Sequence, residues 1–107
     1  MSNAGPHLAH IVFFDLTDNS AEAQQKLLDS ANKNLSGHDG TVYFSVAKLA
    51  PEFARPVNDR DFSVALHVVF DSKASHDKYQ EHPRHKQFID ECKPNWKRVR
   101  VFDSYVG

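Results

Sequence analysis

Tyr79-Gln80-Glu81-His82-Pro83-Arg84-His85-Lys86-Gln87-Phe88 is the stretch on which the fold turns. Pro83 breaks one helix and starts another, because a proline fits the first helical turn, where its missing N–H has no partner to lose. From Pro83 onward His85, Phe88, Ile89 and Cys92 fall at i, i+3, i+4 and i+7, one face of a helix. A histidine therefore stands on the stripe that packs inward. Tyr79 precedes it by six residues, in the helix before the break. Pro94 ends the second segment near Lys93, and Ser72 caps the first, which runs from Lys73 to Gln80.

Strand patterns flank this broken helix. Downstream, Lys97 to Tyr105 places Val99, Val101 and Asp103 on one face and Phe102 on the other. Upstream, Phe62 to Phe70 alternates Phe62, Val64, Leu66, Val68 and Phe70 with Ser63, Ala65, His67 and Val69. A polar loop with Pro51 and Pro56 separates that run from another strand over Thr41 to Leu49. Before it a helix spans about Ser20 to Leu35, with Ala23, Leu27, Leu28, Ala31 and Leu35 on its apolar stripe and Gly37 as its stop. Asn19 followed by Glu22 predicts the capping box at its start. The first strand, His10 to Leu16, holds the unbroken run Ile11-Val12-Phe13-Phe14. The order β-α-β-β-α-β predicts an α+β, ferredoxin-like unit: a four-stranded antiparallel sheet with helices on one face.

Two helical layers cover only one face of such a sheet, yet both faces of the first strand are apolar. Val12 and Phe14 fill one, Ile11 and Phe13 the other, with Ala65 and Val69 beside them. Large bare apolar patches are rare on soluble monomers, so a second copy packed sheet against sheet is the expected cover. The chain of 107 residues makes one domain over 7–107, and residues 1–6 read as an N-terminal tail or tag remnant. The net charge of −1 offers no basic footprint for nucleic acid, and no apolar run reaches membrane-spanning length. The N-terminus shows no basic-then-apolar signal segment, and the single cysteine, Cys92, excludes an internal disulfide, so a cytoplasmic setting is expected.

His85 on a buried stripe needs a polar partner, and Asp103 on an inward strand face needs a donor. The residues therefore predict a His85–Asp103 hydrogen bond that fixes the imidazole tautomer, with Tyr79 as acid or oxyanion donor and His10 within reach of the same space. Such a group suits proton abstraction beside a carbonyl. Used structurally, the same bond would lock the broken helix to the last strand. His82 and His85 are spaced to offer two metal ligands, but His82 at the helix start reads as a capping or surface residue, and no metal or cofactor is expected. His67 reads as a barrel or interface residue. His7, His38 and His76 read as loop or surface positions, and Cys92 as a small core residue.

The opening His10-Ile11-Val12-Phe13-Phe14, the segment Tyr79…His82-Pro83-Arg84-His85…Phe88 and the closing Trp96…Val101-Phe102-Asp103 resemble the stress-responsive dimeric α/β-barrel (Dabb) family, over His10 to Tyr105. The resemblance implies a homodimer whose two sheets form a barrel. One plant branch of the family, olivetolic acid cyclase, closes a linear polyketide by intramolecular aldol condensation without metal or cofactor. Its active Tyr and His match Tyr79 and His85, and its opening-strand His and last-strand Asp match His10 and Asp103. Its third-strand His aligns with Val64, whereas this chain carries His67 on the opposite face. The resemblance thus implies a small-molecule pocket for an apolar or carbonyl-containing ligand and a cofactor-free cyclase, isomerase or lyase activity. The alternative is a non-catalytic stress-response or structural dimer in which the His-Pro-x-His segment is architectural. A heme or oxygen enzyme, since monooxygenases share the barrel type, finds no heme or flavin motif here.

Overall fold

Strict alternation governs β1 (Leu8–Leu16). Leu8, His10, Val12, Phe14 and Leu16 are buried, and Ala9, Ile11, Phe13 and Asp15 are half-buried on the opposite face. In the computed structural model, which describes residues 5–107, β1 is followed by α1 (Ala21–Asn34), β2 (Thr41–Lys48), β3 (Val64–Phe70), α2 (Lys73–Glu81), α3 (Pro83–Cys92), a 3-10 turn (Lys93–Asn95) and β4 (Trp96–Tyr105). The sheet order is β2-β3-β1-β4, and every neighbouring pair is antiparallel. This is the expected α+β, ferredoxin-like arrangement. Most of the tail expected at residues 1–6 lies outside the described residues.

The core fills the space between the helices and one sheet face. Val12, Phe14 and Leu16 of β1 and Val64, Leu66, Val68 and Phe70 of β3 meet Leu27, Ala31 and Leu35 of α1 and Tyr79, Phe88 and Cys92 of the broken helix. Burying each large apolar side chain contributes roughly 1.5–3 kcal/mol. Trp96 stacks obliquely on Phe14, with ring centroids 5.2 Å apart, and closes the corner where β4 begins.

Each helix start is fixed by a side chain. At α1 the cap is Ser20, one residue later than the expected Asn19: Ser20 is extended, and its Oγ accepts from the Ala23 amide at 3.2 Å. The Asn19 carboxamide oxygen is occupied instead by the Gln24 side chain at 2.8 Å. Ser72 caps α2 by accepting from the Ser75 amide, and His82 caps α3 by accepting the Arg84 amide at Nδ1. His82 itself is extended, so the chain turns between Glu81 and Pro83. Gly40 lies against the first turn of α2 with φ +84°, a left-handed conformation that favours glycine.

No described helix covers the other sheet face, and the β2–β3 loop covers only part of it. Phe13 packs edge-on against Phe62 and Phe102, with centroids 4.9 and 5.8 Å away, and the Arg100 guanidinium lies over its ring. Phe102 and Tyr43 remain more than half exposed, at 52% and 56%. His67 stands on this face, half-buried, with Nδ1 3.2 Å from Ser45 Oγ. Arg98 and Arg100 of β4 pair with Asp61 and Asp59 of the β2–β3 loop.

Candidate active site

The turn at His82 sets the last turn of α2 and the first turn of α3 side by side above β1. Tyr79 and His85 consequently converge, with ring centroids 4.9 Å apart. Tyr79 is the hub of an aromatic cluster. His10 of β1 stands 6.1 Å from it, His38 of the α1–β2 connection 5.0 Å, and Phe70 4.9 Å. His76, one helical turn before Tyr79, stacks edge-on against His10 at 5.1 Å. His82 does the same against His38 at 4.8 Å.

A cavity of about 170 Å³ opens beside this cluster, lined by His10, Tyr79 and His85 together with Val12, Phe14, Leu66, Phe88, Trp96, Val99 and Val101. Three of its lining residues carry a buried polar atom without a hydrogen-bond partner: Tyr79 Oη, His85 Nδ1 and Trp96 Nε1. Such atoms are rare, because an unmade buried hydrogen bond costs about 1–3 kcal/mol. A larger, open groove of about 380 Å³ between α1 and α3 includes Lys26, Glu91 and Asn95 but neither Tyr79 nor His85.

Electrostatics keep both central groups neutral. Burial pushes the Tyr79 phenol far above its usual range, so it remains a proton donor. Burial, helped by the neighbouring His10, His38 and His76, lowers His85 to about 4, so its imidazole keeps a lone pair at neutral pH. Burial also lowers His10, although Asp103 works against it, and lowers His38, whose Nε2–H donates to the Asn34 carbonyl at 2.8 Å.

The expected His85–Asp103 bond is absent. Asp103 accepts from His10 Nδ1–H at 2.5 Å instead. The cause is strand register: His10 and Asp103 are direct partners across β1 and β4 on the helix-covered face. β4 is an edge strand, so the Asp103 side chain is 44% exposed rather than interior, and His85 is left without a carboxylate. Of the four residues read as a site, His10, Tyr79 and His85 line the cavity, and Asp103 joins through His10. Of the histidines read as loop or surface positions, His38 does lie on the α1–β2 connection but is buried, and His76 departs from the reading, since it lies in α2 with a side chain only 16% exposed. The spacing of His76 three residues before Tyr79 on one helix already held that signal. His38 had none, because its burial depends on α2 passing over the end of α1.

The fold recurs among solved structures. The solved structure of a Dabb family protein with a ferredoxin-like fold from Mesorhizobium loti is 24% identical, with TM-score 0.77 over 94% of this chain and 96% of that one. A dimeric ferredoxin-like protein of unknown function from Thermobifida fusca is 14% identical, with TM-score 0.81 over 99% and 96%. A hydroxynitrile lyase from Passiflora edulis is 17% identical, with TM-score 0.76 over 95% and 94%. No match was found among curated protein sequences. No described helix is long and apolar enough to cross a membrane. Residues 8–106 match the family model described as the stress responsive A/B barrel domain, and the chain belongs to that family.

Proposed function

We propose that the chain binds a small, mostly apolar carbonyl compound in the cavity under α2 and α3 and moves a proton beside its carbonyl group. The observation that carries this reading is the pair of unpartnered buried atoms, Tyr79 Oη and His85 Nδ1, on residues that line a mostly apolar space. A phenol held neutral can donate to a carbonyl oxygen and stabilise the oxyanion that forms. A neutral imidazole next to it can take the proton from the adjacent carbon. The reaction class is a cofactor-free cyclase, isomerase or lyase, and the lyase activity of the Passiflora edulis relative supports that class. The volume suits a compound of one ring, since an apolar cavity of about 150 Å³ can take up benzene.

The working form is a homodimer packed through the open sheet faces, carried by the exposed Phe102 and Tyr43 around Phe13 and supported by the dimeric Thermobifida fusca relative. The test is a thermal-shift screen of one-ring ketones, aldehydes and phenols against the intact chain, followed by proton-exchange NMR on the hits. Stabilisation that disappears in Tyr79→Phe, with α-proton exchange that disappears in His85→Ala, is the expected result. Hits that stabilise both variants as well as the parent would overturn the reading.

A further inference from the structure

We propose that His10, His76 and Asp103 form a binding site for one divalent transition-metal ion of the zinc type. One nitrogen from each imidazole and one carboxylate oxygen lie within 4.8 Å of one another. Tetrahedral ligation of zinc by His and Asp at roughly 2.0–2.2 Å sets the ligand atoms about 3.4 Å apart, so side-chain movements on the order of 1 Å close the set. The residues come from three separate elements, β1, α2 and β4, which hold them in a fixed relation. Two imidazoles and one carboxylate leave a fourth position open, the ligand number of catalytic rather than structural zinc sites.

A second observation points the same way. His76 Nδ1–H donates to Asp77 Oδ1 at 3.0 Å, which leaves Nε2 with the lone pair a metal needs. A carboxylate on the far nitrogen is the usual support for a metal-bound histidine, because it fixes the tautomer and raises the basicity of the ring. His76 Nε2 accepts from the Gln80 amide at 3.4 Å, a long contact an ion can displace. Lys73 holds the other oxygen of Asp77 at 2.6 Å and so orients it. Access is open through the partly exposed Asp103, while His10 brings the ion to the wall of the cavity.

The ion replaces the proton that His10 and Asp103 share, so the ion-bound state and the hydrogen-bonded state exclude each other. Proton transfer by Tyr79 and His85 does not require the ion, and the binding test uses no substrate. Failure here therefore leaves the proposed function standing.

The experiment is equilibrium dialysis and titration calorimetry of the untagged chain, freed of metal by a chelator, with Zn²⁺, and visible absorption with Co²⁺ as the spectroscopic probe. The expected result is one ion per chain and Co²⁺ bands of low coordination number. His76→Ala and Asp103→Asn each weaken binding by at least about tenfold, and Asp77→Asn, which removes no ligand, weakens it by roughly 10–100-fold. His7→Ala, at an exposed histidine outside the set, leaves the affinity unchanged. Absence of retained ion in the parent, or equal affinity in the parent, H76A and D103N proteins, overturns the proposal. Asp77→Asn, on the exposed face of α2, keeps the test decisive if a ligand variant loses its fold, as circular dichroism would show.

Discussion

His10 Nδ1 and Asp103 Oδ1 lie 2.5 Å apart, bridging β1 and β4 at a position where the two residues are register partners. The carboxylate raises the histidine against the burial that lowers it. Asp103→Asn removes that support, so the His10 pKa should fall further below its ordinary 6.5. Titration of the His10 ring protons by NMR measures this directly. An unchanged or higher value would mean the carboxylate does not control the imidazole.

Tyr79→Phe should leave stability unchanged or raise it, by up to about 1 kcal/mol, because the hydroxyl removed is buried and unpartnered. Ligand binding in the cavity should be lost in the same protein. A hydroxyl that held the fold together would show the reverse, a fall in the urea midpoint.

The histidine cluster predicts acid sensitivity in a defined window. His85, His10 and His38 all have lowered values in the folded chain and ordinary ones near 6.5 when unfolded. Below pH 6.5 the unfolded chain binds more protons, so stability is complete above that pH and is lost as pH falls from about 6.5 toward 4, where His85 itself titrates. Carboxylates held below their usual range, such as Asp71 and Asp77, lose their contribution only at lower pH. Urea midpoints at pH 7.5, 6, 5 and 4 should decline through this window, and less steeply in His85→Gln. A flat profile down to pH 4 would contradict it.

Phe13→Asp should convert the proposed dimer to a monomer, since it sets a charge in the middle of the Phe62, Phe102 and Arg100 cluster. Light scattering at micromolar concentration reads the mass. A parent protein already monomeric would dispose of the sheet-to-sheet interface.

Gly40→Ala should destabilise the fold by at least about 1–2 kcal/mol for the left-handed backbone alone. The added Cβ would also stand 2.1 Å from Ser75 Oγ and 2.4 Å from Ser75 Cβ, so the first turn of α2 has to shift. Because α2 carries Tyr79 and His76, ligand binding should weaken with it. Chemical denaturation of the single variant is the measurement.

Local pattern made the fold legible and half of the site. Alternation in β1 and β3, the i, i+3, i+4 stripe after Pro83 and the caps at Ser72 and His82 are short-range features, and each predicted its element within two residues. Tyr79 and His85 were legible for the same reason, as neighbours across one helix break. The partner of Asp103 was not. Which imidazole it meets depends on the register between β1 and the edge strand β4, a long-range relation that no local period encodes. The Asn19 cap failed through a near tie between two adjacent capping residues, settled by Gln24 taking the Asn19 side chain.

β4 carries two surfaces on one backbone. Val99 and Val101 face the cavity and Asp103 meets His10, while Arg100 and Phe102 flank Phe13 on the open face. A strand alternates with a period of two, so a single inserted or deleted residue would exchange the two sets at once, setting Phe102 toward the cavity and valines on the outer face. Substitutions at either set therefore act on one face alone, whereas a change in strand length that is not absorbed by a bulge acts on both faces at once.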